Sequence, residues 1–382
     1  MKVIIGIKNN LNMKIIKRDR CLLTQKNGVD ELFCVNNFPI YMGCVETDIS
    51  DDIFLDMKWG FSNHTGLVQL MELIPPEVLY SKHHNPGVTG KTWEEHHYKF
   101  SELIKTSPVK KCLEIGGATG TLFKHFLESD EKFTWNVLEP SGVFKIKDER
   151  VIVINDYFEN YIPKEKYDIV VHSHVLEHVY EPMDFIKKVR DILVDGGYQY
   201  ISIPNMREWL SKGYTNTLMF EHTYYIDEYV LEFILNNNGF IIEEKIINNH
   251  SIMVKAKKVN GIIDCNWSFE YSKKIFENYY KNLINDVKET VDKIKEKSVY
   301  LFGAHIFSQI FIKMGLDESK VISILDNNIE KQNKRLYGTK IMVNSPEVLR
   351  DIEKPIVIVR AGAYTKEIIN GISDINPSVI FY

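Results

Sequence analysis

Apolar residues in the middle of the chain fall into short unbroken runs separated by stretches of helical period, the pattern of buried parallel strands alternating with helices. Runs at Lys111–Ile115, Thr134–Leu138, Val151–Ile154, 167–171 and 198–203 predict five strands, and 122–127 and 183–193 predict helices. Ile275, Tyr279, Leu283, Val287, Val291 and Ile294 then recur at helical intervals and predict one long amphipathic helix over 269–297. A second alternation follows, with strands at 298–302 and Val321–Leu325 around a helix ending near Met314. The opening residues differ, being strand-rich with polar turns up to a helical stretch at 93–105. The expected fold is α/β, a Rossmann-like central domain at 96–258 between a small strand-rich amino-terminal domain at 1–95 and a Rossmann-like α/β domain at 259–382.

The first central strand ends in Glu114-Ile115-Gly116-Gly117-Ala118-Thr119-Gly120. Gly116, Ala118 and Gly120 are small enough to turn the chain sharply and leave its backbone open to a ligand. Glu139 closes the second strand nineteen residues after Gly120, a separation that brings both to the carboxyl edge of a parallel sheet, where an acid accepts hydrogen bonds from ribose hydroxyls. Asp156 and Tyr157 end the third strand, a carboxylate for an adenine amino group and an aromatic to cover the ring. The Gly-x-Ala-x-Gly spacing departs from the Gly-x-Gly-x-x-Gly loop that holds a pyrophosphate. Downstream come Ser173-His174-Val175-Leu176-Glu177-His178-Val179, then Asp195-Gly196-Gly197 and Pro204-Asn205. The ensemble resembles class I S-adenosylmethionine-dependent methyltransferases, which implies S-adenosylmethionine as cofactor, held by Glu114, Gly116, Ala118, Gly120, Glu139, Asp156, Tyr157, Ser173 and His174.

Composition changes the picture little. A net charge of -5, with no basic stripe interleaved with aromatics, argues against nucleic acid. No run of eighteen apolar residues and no signal-like start are found, so neither a membrane nor export is expected and the cytoplasm is the expected location. Five scattered cysteines, at 21, 34, 44, 112 and 265, read as free thiols.

The three segments together resemble the sugar C-methyltransferases that act on nucleotide-linked keto-deoxyhexoses. Gly66-Leu67-Val68-Gln69-Leu70 matches a run in that family's first domain, and Gly303-Ala304, Asp326, Asn328, Lys331-Gln332 and Gly338 fall on the pattern of its last. The family's zinc-binding positions correspond to Cys21, Thr24, Ser62 and Thr65, three of them hydroxyl residues and poor zinc ligands; no metal is expected. Where the family carries Tyr-His-Glu-His, this chain has Met219-Phe220-Glu221-His222. The resemblance implies His222 as the base that makes an enolate beside the sugar ketone, Glu221 orienting it and His178 holding the oxyanion. With a hydroxyl acceptor the same base gives an O-methyl product. Asn205, Tyr225, His250, His84 and Lys331 are the candidate substrate contacts, and 85–90, flanked by the histidine pairs 83–84 and 96–97, is a candidate lid or a plain surface loop. The cationic residues Lys331, Lys334 and Arg335 suit either a diphosphate or solvent. An inactive cofactor-binding homologue and a nicotinamide oxidoreductase are the alternatives from other classes.

Overall fold

The computed structural model describes residues 3–6, 12–80, 90–129, 132–263, 267–295 and 297–382. The five predicted runs become β1 (Lys111–Ile115), β2 (Thr134–Leu138), β3 (Val151–Ile154), β4 (Tyr167–Ser173) and β5 (Leu193–Pro204), and two strands not expected from the sequence, β6 (Phe240–Ile247) and β7 (Ser251–Lys258), complete a seven-stranded sheet. Their order is β3-β2-β1-β4-β5-β7-β6. The first five are parallel and β7 runs antiparallel to both neighbours. Reversal of strand order between β1 and β4 opens a crevice at their carboxyl ends, the place where such sheets take ligands.

Helices α1 (Lys91–Ile104), α2 (Pro182–Ile192), α3 (Glu228–Asn237) and α4 (Glu270–Ile294) accompany the sheet. Helix α1 straddles the expected boundary between 95 and 96, and it buries Phe100, Leu103 and Ile104 in one cluster with Cys112, Trp135 and Met253 of the central sheet. The helix expected after Gly120 shrinks to a short 3-10 turn, Phe123–Phe126. Residues 139–150 and 155–166 hold no helix at all. Pro140 and Gly142 with the charged run that follows offer no apolar stripe for one. Ile152 and Val153 of β3 are therefore left 53% and 42% exposed.

The amino-terminal part pairs Val29–Pro39 with Phe54–Ser62 and that strand with Val68–Leu70, all antiparallel. Cys21 lies buried among the three hydroxyl residues: its sulfur is 3.3 Å from Thr65 Oγ1, and burial, which alone would raise the thiol's pKa, is outweighed by hydrogen bonding from Ser62, Thr24 and Thr65. The carboxy-terminal part is a parallel sheet ordered Val343–Asn344, Val321–Leu325, Val299–Phe302, Ile356–Val359, Ile380–Phe381. Helix α4 ties the parts together, with Phe276 5.3 Å from Trp59 and 5.6 Å from Tyr225, ring centre to ring centre.

The cationic residues suited to a diphosphate, Lys331, Lys334 and Arg335, are paired within the protein. Lys331 pairs with Asp326 at 3.0 Å and Lys334 with Glu46 at 3.6 Å, while Arg335 makes two 2.6 Å bonds to Asp52, whose side chain is fully buried. A diphosphate would find none of these charges free. Asp326 also accepts from the Ala304 and Asn328 amides, so three donors within the last domain already hold this carboxylate. Among the described residues no helix is long and apolar enough to cross a membrane.

Candidate functional site

The chain leaves β1 through a bend at Gly116 and Gly120, with φ of +73° and +88°, and Ala118 shares the left-handed region at +43°. The Gly116 backbone runs so close to the next segment that an added Cβ would stand 2.8 Å from Val175 Cγ2. The bend and the histidine-rich turn after β4 are thereby neighbours. Glu139, at the tip of β2, reaches back to the bend: Oε2 accepts from the Ala118 amide at 2.9 Å, and Oε1 accepts from the amide and hydroxyl of Ser141. Each carboxylate oxygen offers two lone-pair sites, so capacity for a ribose hydroxyl remains on Oε2. Asp156 and Tyr157 are partly exposed beyond β3. An acceptor carboxylate against a bare backbone bend, with a second acid and an aromatic on the same edge, fits S-adenosylmethionine.

Glu114 does not belong to that set. It is buried beneath the bend, where its Oε2 accepts from Trp135 Nε1 at 2.7 Å, and an added Cβ on Gly117 would come within 3.4 Å of the same oxygen. Burial pushes its carboxyl up to about 7, against the pull of that indole hydrogen bond.

Past β4, His174 takes φ +52° and sends Nε2 to the Ser251 hydroxyl at 2.9 Å. His96 of α1 and His250 meet the same oxygen at 3.1 and 2.6 Å, and the other His96 nitrogen bonds Ser173. Trp93 lies edge-on to both His174 and His250, with centroids 4.8 and 4.6 Å away. Burial lowers the pKa of all three imidazoles, with neighbouring histidines adding to the effect at His96 and His174. They are neutral hydrogen-bonding groups around one hydroxyl. Ser173, His174 and His250 thus have each other and His96 as partners; neither His96 nor Trp93 was assigned a role from the sequence, where the 96–97 histidine pair read as the flank of a loop.

The turn Leu176–His178 faces the segment 221–225. His178 Nδ1 lies 2.9 Å from the Glu221 carbonyl and His222 Nδ1 3.3 Å from the Thr217 carbonyl. A carbonyl only accepts, so in both rings Nδ1 carries the hydrogen and Nε2 keeps a lone pair. The two rings are 5.3 Å apart. Burial pulls His222 down to about 3, helped by His178, so it is neutral at every working pH. Between them Glu177 is 0% exposed, and burial pushes its carboxyl up to about 7.

A frame of hydrogen bonds holds the two segments in register. Thr223 gives its amide to the Glu177 carbonyl and its hydroxyl to Val179, and Tyr224 bonds the Leu176 carbonyl. On the other side the Leu70 amide bonds Thr223 and the Tyr225 amide bonds Val68, an antiparallel bridge from the segment to the edge of the amino-terminal sheet. Arg18, buried, bridges both segments through the carbonyls of Thr223 and Tyr180 at 2.8 and 2.6 Å.

Three substrate candidates are engaged within the protein. Tyr225 is buried with its hydroxyl on Asp227. Asn205 caps a short helix, accepting from the Glu208 amide while donating to Asn248 O. Lys331 is held by Asp326 in the last domain. His84 and most of the candidate lid lie outside the described residues.

The profile of a family described as a methyltransferase domain matches residues 93–245. An uncharacterized protein of Methanocaldococcus jannaschii is 24% identical over 211 residues, 51% of this chain and 55% of that protein, so the chain spans about half the length of this curated relative. Among solved structures, a glycopeptide N-methyltransferase complexed with S-adenosylmethionine aligns at 14% identity over 47% of this chain and 98% of its own, with a TM-score of 0.36. An O-methyltransferase family protein from Burkholderia thailandensis aligns at 13% over 44% and 56%, also at 0.36.

Proposed function

We propose that this chain, whose central domain is a class I S-adenosylmethionine-dependent methyltransferase domain, methylates a small oxygen-bearing acceptor, a nucleotide-linked keto-deoxysugar being the leading candidate. The observation that carries the reading is the contact of Gly116 with Val175, which sets the donor-side bend beside the Glu177, His178 and His222 cluster. The sugar rests on the resemblance of all three segments to the sugar C-methyltransferases.

When bound, S-adenosylmethionine supplies a methyl group on a sulfonium that departs as a neutral thioether. The protein's part is to orient and to exclude water. Glu139 and Asp156 hold the nucleoside, and the bend at 116–120 lets it approach the backbone. His178 and His222 present Nε2 lone pairs toward the acceptor side, their rings fixed by the Glu221 and Thr217 carbonyls. These nitrogens activate the acceptor, whether its reacting atom is a carbon beside a ketone or a hydroxyl oxygen.

A panel of nucleotide-linked keto sugars and their reduced alcohols, incubated with methyl-labelled cofactor, tests the reading by mass spectrometry and location of the label. Label on a ring carbon supports C-methylation, and label on oxygen supports the alternative. Absence of S-adenosylhomocysteine binding by calorimetry would reject both. His222→Ala is expected to abolish turnover while S-adenosylhomocysteine affinity changes less than about threefold.

A further inference from the structure

We propose that Glu177, His178 and His222 bind one divalent transition-metal ion, whose open positions take an oxygen of the acceptor. The second half of this inference rests on the methyl-transfer reading, and with the ion bound the Nε2 lone pairs of His178 and His222 act on the acceptor through it rather than as free bases; the ion site stands by itself.

Each of the three residues offers a ligand atom, and these atoms lie within 4.8 Å of one another. With bonds near 2.1 Å, ligands on one ion are at most about 4.2 Å apart, so a small contraction completes the set. His178 Nε2 is already 3.8 Å from Glu177 Oε1. Both imidazoles are prepared as ligands in the usual manner, with Nδ1–H on a backbone carbonyl and a free lone pair on Nε2.

Glu177 supplies the independent sign. Its side chain is completely buried, and no donor makes a hydrogen bond of ordinary geometry to either carboxylate oxygen. A carboxylate stripped of water and left without donors is costly, and a cation between it and the two rings removes the cost. His174 Nδ1, 3.3 Å from Glu177 Oε1, is within reach as a fourth ligand. Two imidazoles and one carboxylate select zinc, manganese, iron, cobalt or nickel over magnesium and calcium. The other imidazole group, His96, His174 and His250, differs at its centre, where the Ser251 hydroxyl already engages one nitrogen of each ring. The ion belongs with the carboxylate. Placed there it sits beside Val175 and Gly116, with open positions for an acceptor oxygen.

Chelator-stripped full-length protein titrated with Co2+, followed by visible absorption and calorimetry, tests the site. One ion per chain is expected, with affinity at least about tenfold weaker in both Glu177→Gln and His222→Asn and no displacement by excess Mg2+. Absence of stoichiometric binding to the wild type, or binding undiminished in His222→Asn or Glu177→Gln, overturns the proposal. S-adenosylhomocysteine affinity measured on the same samples reports folding and separates the two readings. Cofactor binding without Co2+ binding ends the ion site and spares methyl transfer, and the reverse result does the opposite.

Discussion

Glu114 and Glu139 are both acids at the carboxyl edge of adjacent strands, and their surroundings give them opposite duties. Glu139 faces the crevice with hydrogen-bonding capacity to spare; replacing it with alanine removes the acceptor for the ribose and is expected to weaken S-adenosylhomocysteine binding by at least about tenfold, a loss that calorimetry would read directly. Glu114 sits in the dry interior with its pKa raised by burial to about 7, above its ordinary 4.5. In the unfolded chain it sheds its proton first, so its contribution to stability is full below about 4.5 and is lost as pH rises through about 7. The shift corresponds to something on the order of 3 kcal/mol. Glu114→Gln mimics the protonated form and keeps the acceptor for Trp135. Denaturation midpoints between pH 4.5 and 7.5 should fall for the wild type relative to this variant, and parallel profiles would refute the assignment.

At the scale of elements, the segment 222–225 is the one on which the site depends, since it is hydrogen-bonded to the Leu176–His178 turn on one side and to Val68–Leu70 on the other. Arg18 spans the joint. Arg18→Met takes the Arg18 donor from the Tyr180 carbonyl, at about 1–3 kcal/mol, and leaves the Thr223 carbonyl only the Leu70 amide; turnover should fall at least about tenfold while S-adenosylhomocysteine affinity stays within about threefold, because the bend at 116–120 is untouched. An unchanged rate would show that the joint holds without the guanidinium. These long-range bonds could not be read from the chain alone. The strands could, and β1, β2 and β3 begin and end where the apolar runs do; β1 and β2 are buried on both faces, which writes an unbroken run, while β3 keeps the same run with two of its residues exposed. The helix after Gly120 could not, for its apolar residues Phe123 and Phe126 are drawn instead into an aromatic group with Phe133 and Trp135. Gly66 shows the same limit: the run Gly66–Leu70 stood out by resemblance, yet only the fold shows an added Cβ there 2.4 Å from the Glu270 amide. Glu177, buried inside the quoted Leu-Glu-His turn, carried no sequence signal that set it apart from its neighbours.

For the whole molecule, two of the cationic residues that suit a diphosphate, Lys334 and Arg335, instead fasten the first domain to the last. The buried Arg335–Asp52 pair also receives the Gly338 amide, and Arg335 reaches the carbonyls of Thr47 and Asp48. Removing one partner strands a buried charge, so Asp52→Asn should cost about 3–5 kcal/mol in denaturant titration. A double replacement, Asp52→Leu with Arg335→Met, should recover much of it; if the single variant is as stable as wild type, the latch bears no weight.

The shared segment at 222–225 has a consequence for anyone cutting this protein into parts. The donor's cradle is made within the middle third, while the far wall of the reaction chamber is stitched to the opening residues. An excised middle third would clasp its donor and have nothing fixed to hand it to, so the leading segment is as much a part of the enzyme's working half as the Rossmann sheet.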